Sequence, residues 1–219
     1  MNSIILGFGD AYLKYAHLES VKKEEASDEK SVDSNSDIPL GEDVKKADSG
    51  GYKRSRFFSL AGQSLIEKFA SMNNIPLENI QQNVRFAKYL DSSDPIMEYR
   101  AVFDGYLKRP IDEVFFECTH SLIGPYVYYK FYYMISLVIH YARINKKSAK
   151  LVLLTPKYPP AFLLELYGDS PARNIDKELE RLRNNFNPAI QNGFLEIVPI
   201  EYTLDECIKM LASINPPEK

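Results

Sequence analysis

Between Ile111 and Thr155 the chain lays down three apolar elements in a row. They are a strand with a Val-Phe-Phe centre, a long aromatic helix, and the run Lys-Leu-Val-Leu-Leu-Thr. A strand that is apolar through its centre, without alternation, reads as buried on both faces. That reading points to the α/β class, with helices packed over a central sheet. The helix is expected from Pro125 to Asn145, with proline in its first turn, where a missing N–H costs nothing. Its apolar segment, Leu122 to Ala142, contains Lys130, His140 and six tyrosines. A membrane span needs roughly 20 predominantly apolar residues. The longest stretch here without Lys or Arg runs only from Phe131 to Ala142. The segment therefore reads as a core helix, with most of its tyrosines and His140 packed inside, and no membrane association is expected.

The flanking elements follow from spacing. Phe57 to Met72 carries Phe58, Ala61, Leu65, Phe69 and Met72 at helical intervals and ends at Asn73-Asn74 before Pro76. Gln82 to Leu90 and Ile96 to Leu107 read as strands separated by the turn cluster Asp91 to Pro95. Lys108-Arg109-Pro110 turns the chain into a third strand, Ile111 to Thr119, and the fourth, Lys150 to Thr155, is expected to stop at Pro156. Beyond it come a helix lined by Ile175, Leu179, Leu182 and Phe186, a strand from Phe194 to Ile200, and a last helix. That last helix is opened by the capping-box pattern Thr203-x-x-Glu206. This C-terminal part reads as an extension around the core.

Residues 22–51 form a different kind of sequence. They contain no aromatic residue and too little apolar surface to offset the entropy of ordering, so they read as a disordered acidic linker. Val21 to Gly50 holds five Lys against nine Asp or Glu, a local balance of −4, which leaves the remainder of this −3 chain near +1. Such a balance neither requires nor excludes nucleic acid, and the acidic stretch could recruit a protein partner. Residues 1–21 are apolar enough to dock on the main body, residues 52–219. The Gly7-x-Gly9 pair lacks the third glycine of a dinucleotide fingerprint and reads as a turn. No basic region followed by a long apolar stretch opens the chain, and Cys118 and Cys207 stand far apart without metal-ligand spacing. Free thiols in a reducing, intracellular compartment, cytoplasmic or nuclear, are the expectation.

The chemistry sits on the second and third strands. Asp104 in Ala-Val-Phe-Asp-Gly precedes Glu117 in Phe-Phe-Glu-Cys-Thr by thirteen residues, with a hairpin between. Carboxylates on two adjacent strands can converge on one oxygen-loving divalent ion, most naturally Mg²⁺, with Mn²⁺ as substitute. Such an ion polarises a phosphate oxygen and lowers the pKa of a bound water. Glu117 and Thr119 lie two apart and share a face.

The order helix, three strands, helix, strand, together with Asp-x12-Glu-x-Thr over Arg56 to Pro156, resembles the PD-(D/E)XK nuclease superfamily. The resemblance implies a restriction-endonuclease-like αβββαβ core with a mixed sheet flanked by helices. It makes Asp104 and Glu117 metal ligands and Glu67, one turn after Gln63, a supplementary one. It implies hydrolysis of phosphodiester bonds in DNA, with RNA as the alternative substrate. The sequence leaves the oligomeric state open, with a homodimer as one option.

One position departs from the family. Thr119 stands where a lysine is usual, and a hydroxyl carries no charge to a developing phosphorane. Some members of the superfamily relocate that lysine to the following helix, where Lys130 is the candidate here and His120 a second polar group. The plainer readings are Asp104 as a turn residue before Gly105, Lys130 snorkelling to solvent, and Glu67 on a solvated face. On those readings the chain is a catalytically degenerate nuclease fold, a nucleic-acid-binding or protein-interaction module. The basic groups Lys53-Arg54-Arg56, Lys108-Arg109, Lys146-Lys147 with Lys150, and Arg173 to Arg183 could meet phosphates on either reading.

Overall fold

A computed structural model describes residues 18–20, 49–86, 102–119, 125–167 and 175–214. Among the described residues six strands form one sheet in sequence order: β1 (Leu18–Ser20), β2 (Ile80–Phe86), β3 (Phe103–Lys108), β4 (Asp112–Cys118), β5 (Ser148–Lys157) and β6 (Leu195–Glu201). Neighbours from β1 to β4 are antiparallel, whereas β4, β5 and β6 are parallel, so the sheet is mixed. The helices are α1 (Ser49–Met72), α2 (Pro125–Asn145), α3 (Pro160–Tyr167), α4 (Ile175–Asn185), α5 (Asn187–Gln191) and α6 (Leu204–Ala212). None of the helices among the described residues is long and apolar enough to cross a membrane.

The two faces of the sheet carry separate cores. On one, Phe131, Met134, Ile135 and Val138 of α2 and Leu179 and Leu182 of α4 pack against Phe115, Leu151 and Leu153. On the other, Phe57, Ala61, Leu65 and Ile66 of α1, with Phe162 of α3 and Cys207 of α6, pack against Val114, Phe116, Val152 and Leu154. Residues 114, 115 and 116 are all buried but alternate between the two cores, which accounts for the unbroken apolar centre of β4.

Several expectations shift in detail. Helix α1 begins at Ser49, ahead of Phe57, and takes in the last residues of the expected linker. Met72 is 63% exposed and is not part of the core. Strand β5 does not stop at Pro156 but runs through it to Lys157. In a parallel ladder successive N–H groups point to alternate neighbours. Leu151 donates toward β6, to Phe194 O, and Leu154 accepts from Thr119 beyond β4, so position 156 points its nitrogen to the β4 side. The β4–β5 pairing ends at Cys118↔Leu154, and Pro156 therefore removes no ladder bond. Strand β6, read as decoration, extends the same sheet, and Pro199 on it turns its N–H-less side to the open edge, which blunts that edge. The capping box of α6 is present: Glu206 N–H donates to Thr203 Oγ1 at 3.3 Å and Thr203 N–H to Glu206 Oε2 at 2.7 Å. Residues 1–17, 21–48, 87–101, 120–124, 168–174 and 215–219, with the N-terminal segment, most of the linker, the Asp91–Pro95 turn, His120 and Arg173, lie outside the described residues.

One irregularity positions the site. In β2, Ile80 packs on the α1 side while Val84, four residues on, packs on the α2 side. In β3, Leu107 faces α1 and Phe103 faces α2. Strict alternation would keep residues four apart on one face. Both strands switch face around the rung of Asn83 and Asp104, flanked by Gln82↔Gly105 and Val84↔Phe103, and Asn83 adopts a left-handed φ of 50° there.

Beside this rung, Gly105 lets α1 approach the sheet. A Cβ at Gly105 would come within 3.1 Å of Ile66 Cδ1 and Ile80 Cγ2 and 3.2 Å of Phe116 Cδ2. Gly105→Ala is expected to lower stability by about 1–3 kcal/mol through overpacking. Urea unfolding measures this, and an unchanged midpoint would show that α1 is not seated tightly on β3.

Candidate active site

Strand β4 places Glu113, Phe115 and Glu117 on the face covered by α2. Glu117, near its carboxyl end, is only 2% exposed. A carboxylate so placed requires a compensating partner, and α2 brings one from its second turn. Lys130 Nζ lies 3.0 Å from Glu117 Oε1, with the lysine side chain itself largely covered. Lys130 therefore turns inward to the acid rather than out to solvent.

Asp104 meets the same strand end by a different route. Thr119 donates its N–H to Leu154 O of β5 at 2.9 Å, so the preceding N–H, that of Cys118, points the other way, toward β3. The registered β3–β4 pairing ends at Gly105↔Phe116. The Asp104 carboxylate continues the ladder: its Oδ2 accepts the Cys118 N–H at 2.7 Å. The half-buried Asp104 side chain thus sits against the peptide that joins Glu117 to Cys118. This corner lies at the carboxyl end of β4, where β5 runs parallel beside it, the side on which α/β sheets commonly bind ligands.

Asp104, Glu117 and Lys130 are gathered at one corner, and Thr119 follows Glu117 at its edge, half-buried. Glu67 is placed elsewhere. It is exposed on α1, which covers the opposite face of the sheet from Glu117, and Gln63 is exposed one turn before it. His140 is half-buried, and burial, reinforced by Arg143, holds its pKa below the usual histidine value.

Among the described residues no three His, Cys, Asp or Glu side chains form a metal-holding group. Two hard oxygen donors, from Asp104 and Glu117, still suit Mg²⁺, which keeps several waters and often takes only one or two protein carboxylates beside substrate phosphates. No known protein family matches the chain, and no curated protein shows a significant sequence likeness to it.

A second buried acid was missed in the sequence. Glu113, 1% exposed, accepts from Tyr106 Oη at 2.7 Å, from Tyr141 Oη at 2.5 Å and from Lys147 Nζ at 2.8 Å. Its signal was available, since Glu113, Phe115 and Glu117 fall at alternate positions of a strand read as buried. Burial alone would raise the Glu113 pKa, but Lys147, Tyr141 and Tyr106 together outweigh it and hold the carboxyl below its ordinary value. Burial and the Glu113 carboxylate push Tyr141 up to about 12.

A depressed carboxyl pKa stabilises the fold above the unfolded-state value and loses that contribution as pH falls through the folded-state value. Wild-type stability should therefore drop below about pH 4.5, the ordinary carboxyl value. Glu113→Gln should cost roughly 1–3 kcal/mol at neutral pH and flatten that acid limb. Urea midpoints from pH 7 down to pH 3 measure both, and parallel curves for the two proteins would contradict the arrangement.

Proposed function

We propose that this chain is a divalent-metal-dependent nuclease of the restriction-endonuclease-like fold, hydrolysing phosphodiester bonds in DNA, with RNA as the alternative substrate. The observation that carries the reading is the 3.0 Å contact between Lys130 Nζ and Glu117 Oε1. It brings to the acidic strand the ammonium that Thr119 cannot supply. The succession α1, β2, β3, β4, α2, β5, with a three-strand meander followed by a parallel strand, supports the αβββαβ core implied by the resemblance.

In this reading Asp104 and Glu117 hold Mg²⁺ or Mn²⁺, and Lys130 faces the phosphate. Such an ion, when bound, would polarise a phosphate oxygen and lower the pKa of a water. In such hydrolysis a water oxygen would bond to phosphorus as the P–O ester bond breaks and a proton from that water would pass to the leaving oxygen, giving a phosphate monoester on one fragment and a hydroxyl on the other. Lys130 donates a hydrogen bond to the phosphate as negative charge accumulates, a contribution that grows in a site screened from bulk water. Thr119 orients the phosphate or the water through its hydroxyl. Its partner Glu117 keeps Lys130 in place in the resting protein.

A second reading has its own support. Asp104 already accepts a backbone N–H and Glu117 an ammonium, so both acids have internal roles in ending β4. A fold that kept these bonds for structure alone would bind nucleic acid or protein without cutting.

Plasmid, single-stranded DNA and RNA incubated with Mg²⁺ or Mn²⁺ separate the two. Wild type is expected to cut, Asp104→Asn and Glu117→Gln to be inactive, and Lys130→Ala to lose about 10²-fold or more in rate. Equal behaviour of all four proteins, or binding that persists in EDTA with no cleavage, would leave only the non-catalytic reading.

A further inference from the structure

Helix α2 turns most of its aromatic residues inward, yet its solvent side is not ordinary. Among its described side chains the exposed ones are Tyr129, Tyr132, Ser136 and Arg143. At 100° per residue these fall within one narrow stripe. Tyr129 is 74% exposed and Tyr132 54%. The Tyr132 ring is fixed: its centroid lies 4.5 Å from that of Phe186, and its Oη donates to Asn185 O at 3.4 Å. Tyr129, one turn earlier, has no ring partner among the described residues. It immediately precedes Lys130, which touches Glu117.

The helix and the strand that follows it carry charge of one sign, the acids of this face coming from α4 and β6. From Cys118 to Leu164 the chain carries six Lys or Arg and not one Asp or Glu. Four of the six are paired with acids from other elements: Lys130 with Glu117, Lys147 with Glu113, Lys150 with Glu196 and Lys157 with Asp176. The other two, Arg143 and Lys146, are exposed at the far end of the stripe with no acid in ion-pair range among the described residues. The stripe thus runs from a bare aromatic ring beside the catalytic corner to unpaired cations about 21 Å away, at 1.5 Å per residue. No acidic side chain of α2 interrupts it.

We infer that the outer face of α2 binds a single-stranded polynucleotide, with an unpaired base stacked on Tyr129 beside the site and phosphates held by Arg143 and Lys146. This rests on the nucleolytic reading of the corner and narrows its substrate to unpaired strands. Stacking on an exposed ring needs a base face that a duplex keeps covered, and one such contact is worth roughly 1–3 kcal/mol. A protein partner is the competing occupant, since Tyr and Arg also favour protein interfaces. The segregation of ring and cation along an acid-free helix favours the polymer that carries both a π face and regular negative charge.

The test is fluorescence anisotropy in EDTA with labelled oligothymidylate and with its duplex with oligoadenylate. Single strand is expected to bind more tightly than duplex. Tyr129→Ala should weaken it about tenfold while Tyr129→Phe leaves it unchanged. Arg143→Ala with Lys146→Ala should lower the slope of log affinity against log salt by about 1.4, at roughly 0.7 per phosphate contact on single strands. Duplex bound as well as single strand, or Tyr129→Ala binding like wild type, would overturn the inference. So would failure to bind oligonucleotide together with a dimer that dissociates in Tyr129→Ala. Because binding is read without metal, strands that bind but are never cut in Mg²⁺ would remove catalysis and leave the stripe standing. Cleavage indifferent to Tyr129 would do the reverse.

Discussion

Two carboxylates buried on one face of β4, each tied to a lysine from α2 or the turn after it, set how the central helix lies on the sheet. Glu117 meets Lys130 near the start of α2, and Glu113 meets Tyr141 and Lys147 at its end. Four residues along a strand separate the two acids by about 13 Å. A buried charge without a partner is far more costly than a lost apolar contact. A shift of α2 along β4 would therefore break both pairs together, while the Phe115 layer between them could repack. The apolar core supplies the burial, and the two ion pairs define the register of α2 on β4.

The same clamp leaves the two ends of β4 built differently. Glu113 accepts three donors in a closed network joining β3, β4 and α2. Glu117 lies where β4 ends, where β3 has changed face around Asp104, and where a carboxylate replaces the backbone as acceptor for Cys118. An irregular rung at Asn83 and Asp104 thus converts an ordinary strand residue into a side chain aimed at the peptide beside Glu117.

Much of this was readable from the residues. Pro125 and the apolar run behind it bounded α2 to the residue, and the Val-Phe-Phe centre placed β4 between two layers. Thr203 and Glu206 marked the last helix. Less readable was whatever depended on neighbours in space. The face switch leaves no trace in a period-2 pattern read one strand at a time. Pro156 looks like a stop until it is known that β4 has already ended beside it. Lys130 is one cation in an aromatic helix, equally suited to snorkelling or to meeting Glu117, and only the helix rotation decides. Glu113 alternates with Glu117 along the strand, but its partners Tyr141 and Lys147 lie 28 and 34 residues away in sequence and only the fold brings them in.

The functional proposal reduces to whether the corner of Asp104, Glu117 and Lys130 seats a cation together with nucleic acid. Titration of Mn²⁺ into protein holding a single-stranded oligonucleotide, followed by loss of the free-ion electron paramagnetic resonance signal, measures this without relying on turnover. One bound ion in wild type and in Lys130→Ala, with none in Asp104→Asn or Glu117→Gln, is the expected result. Identical Mn²⁺ uptake by wild type and both carboxylate variants would contradict it and leave the two acids with structural roles alone.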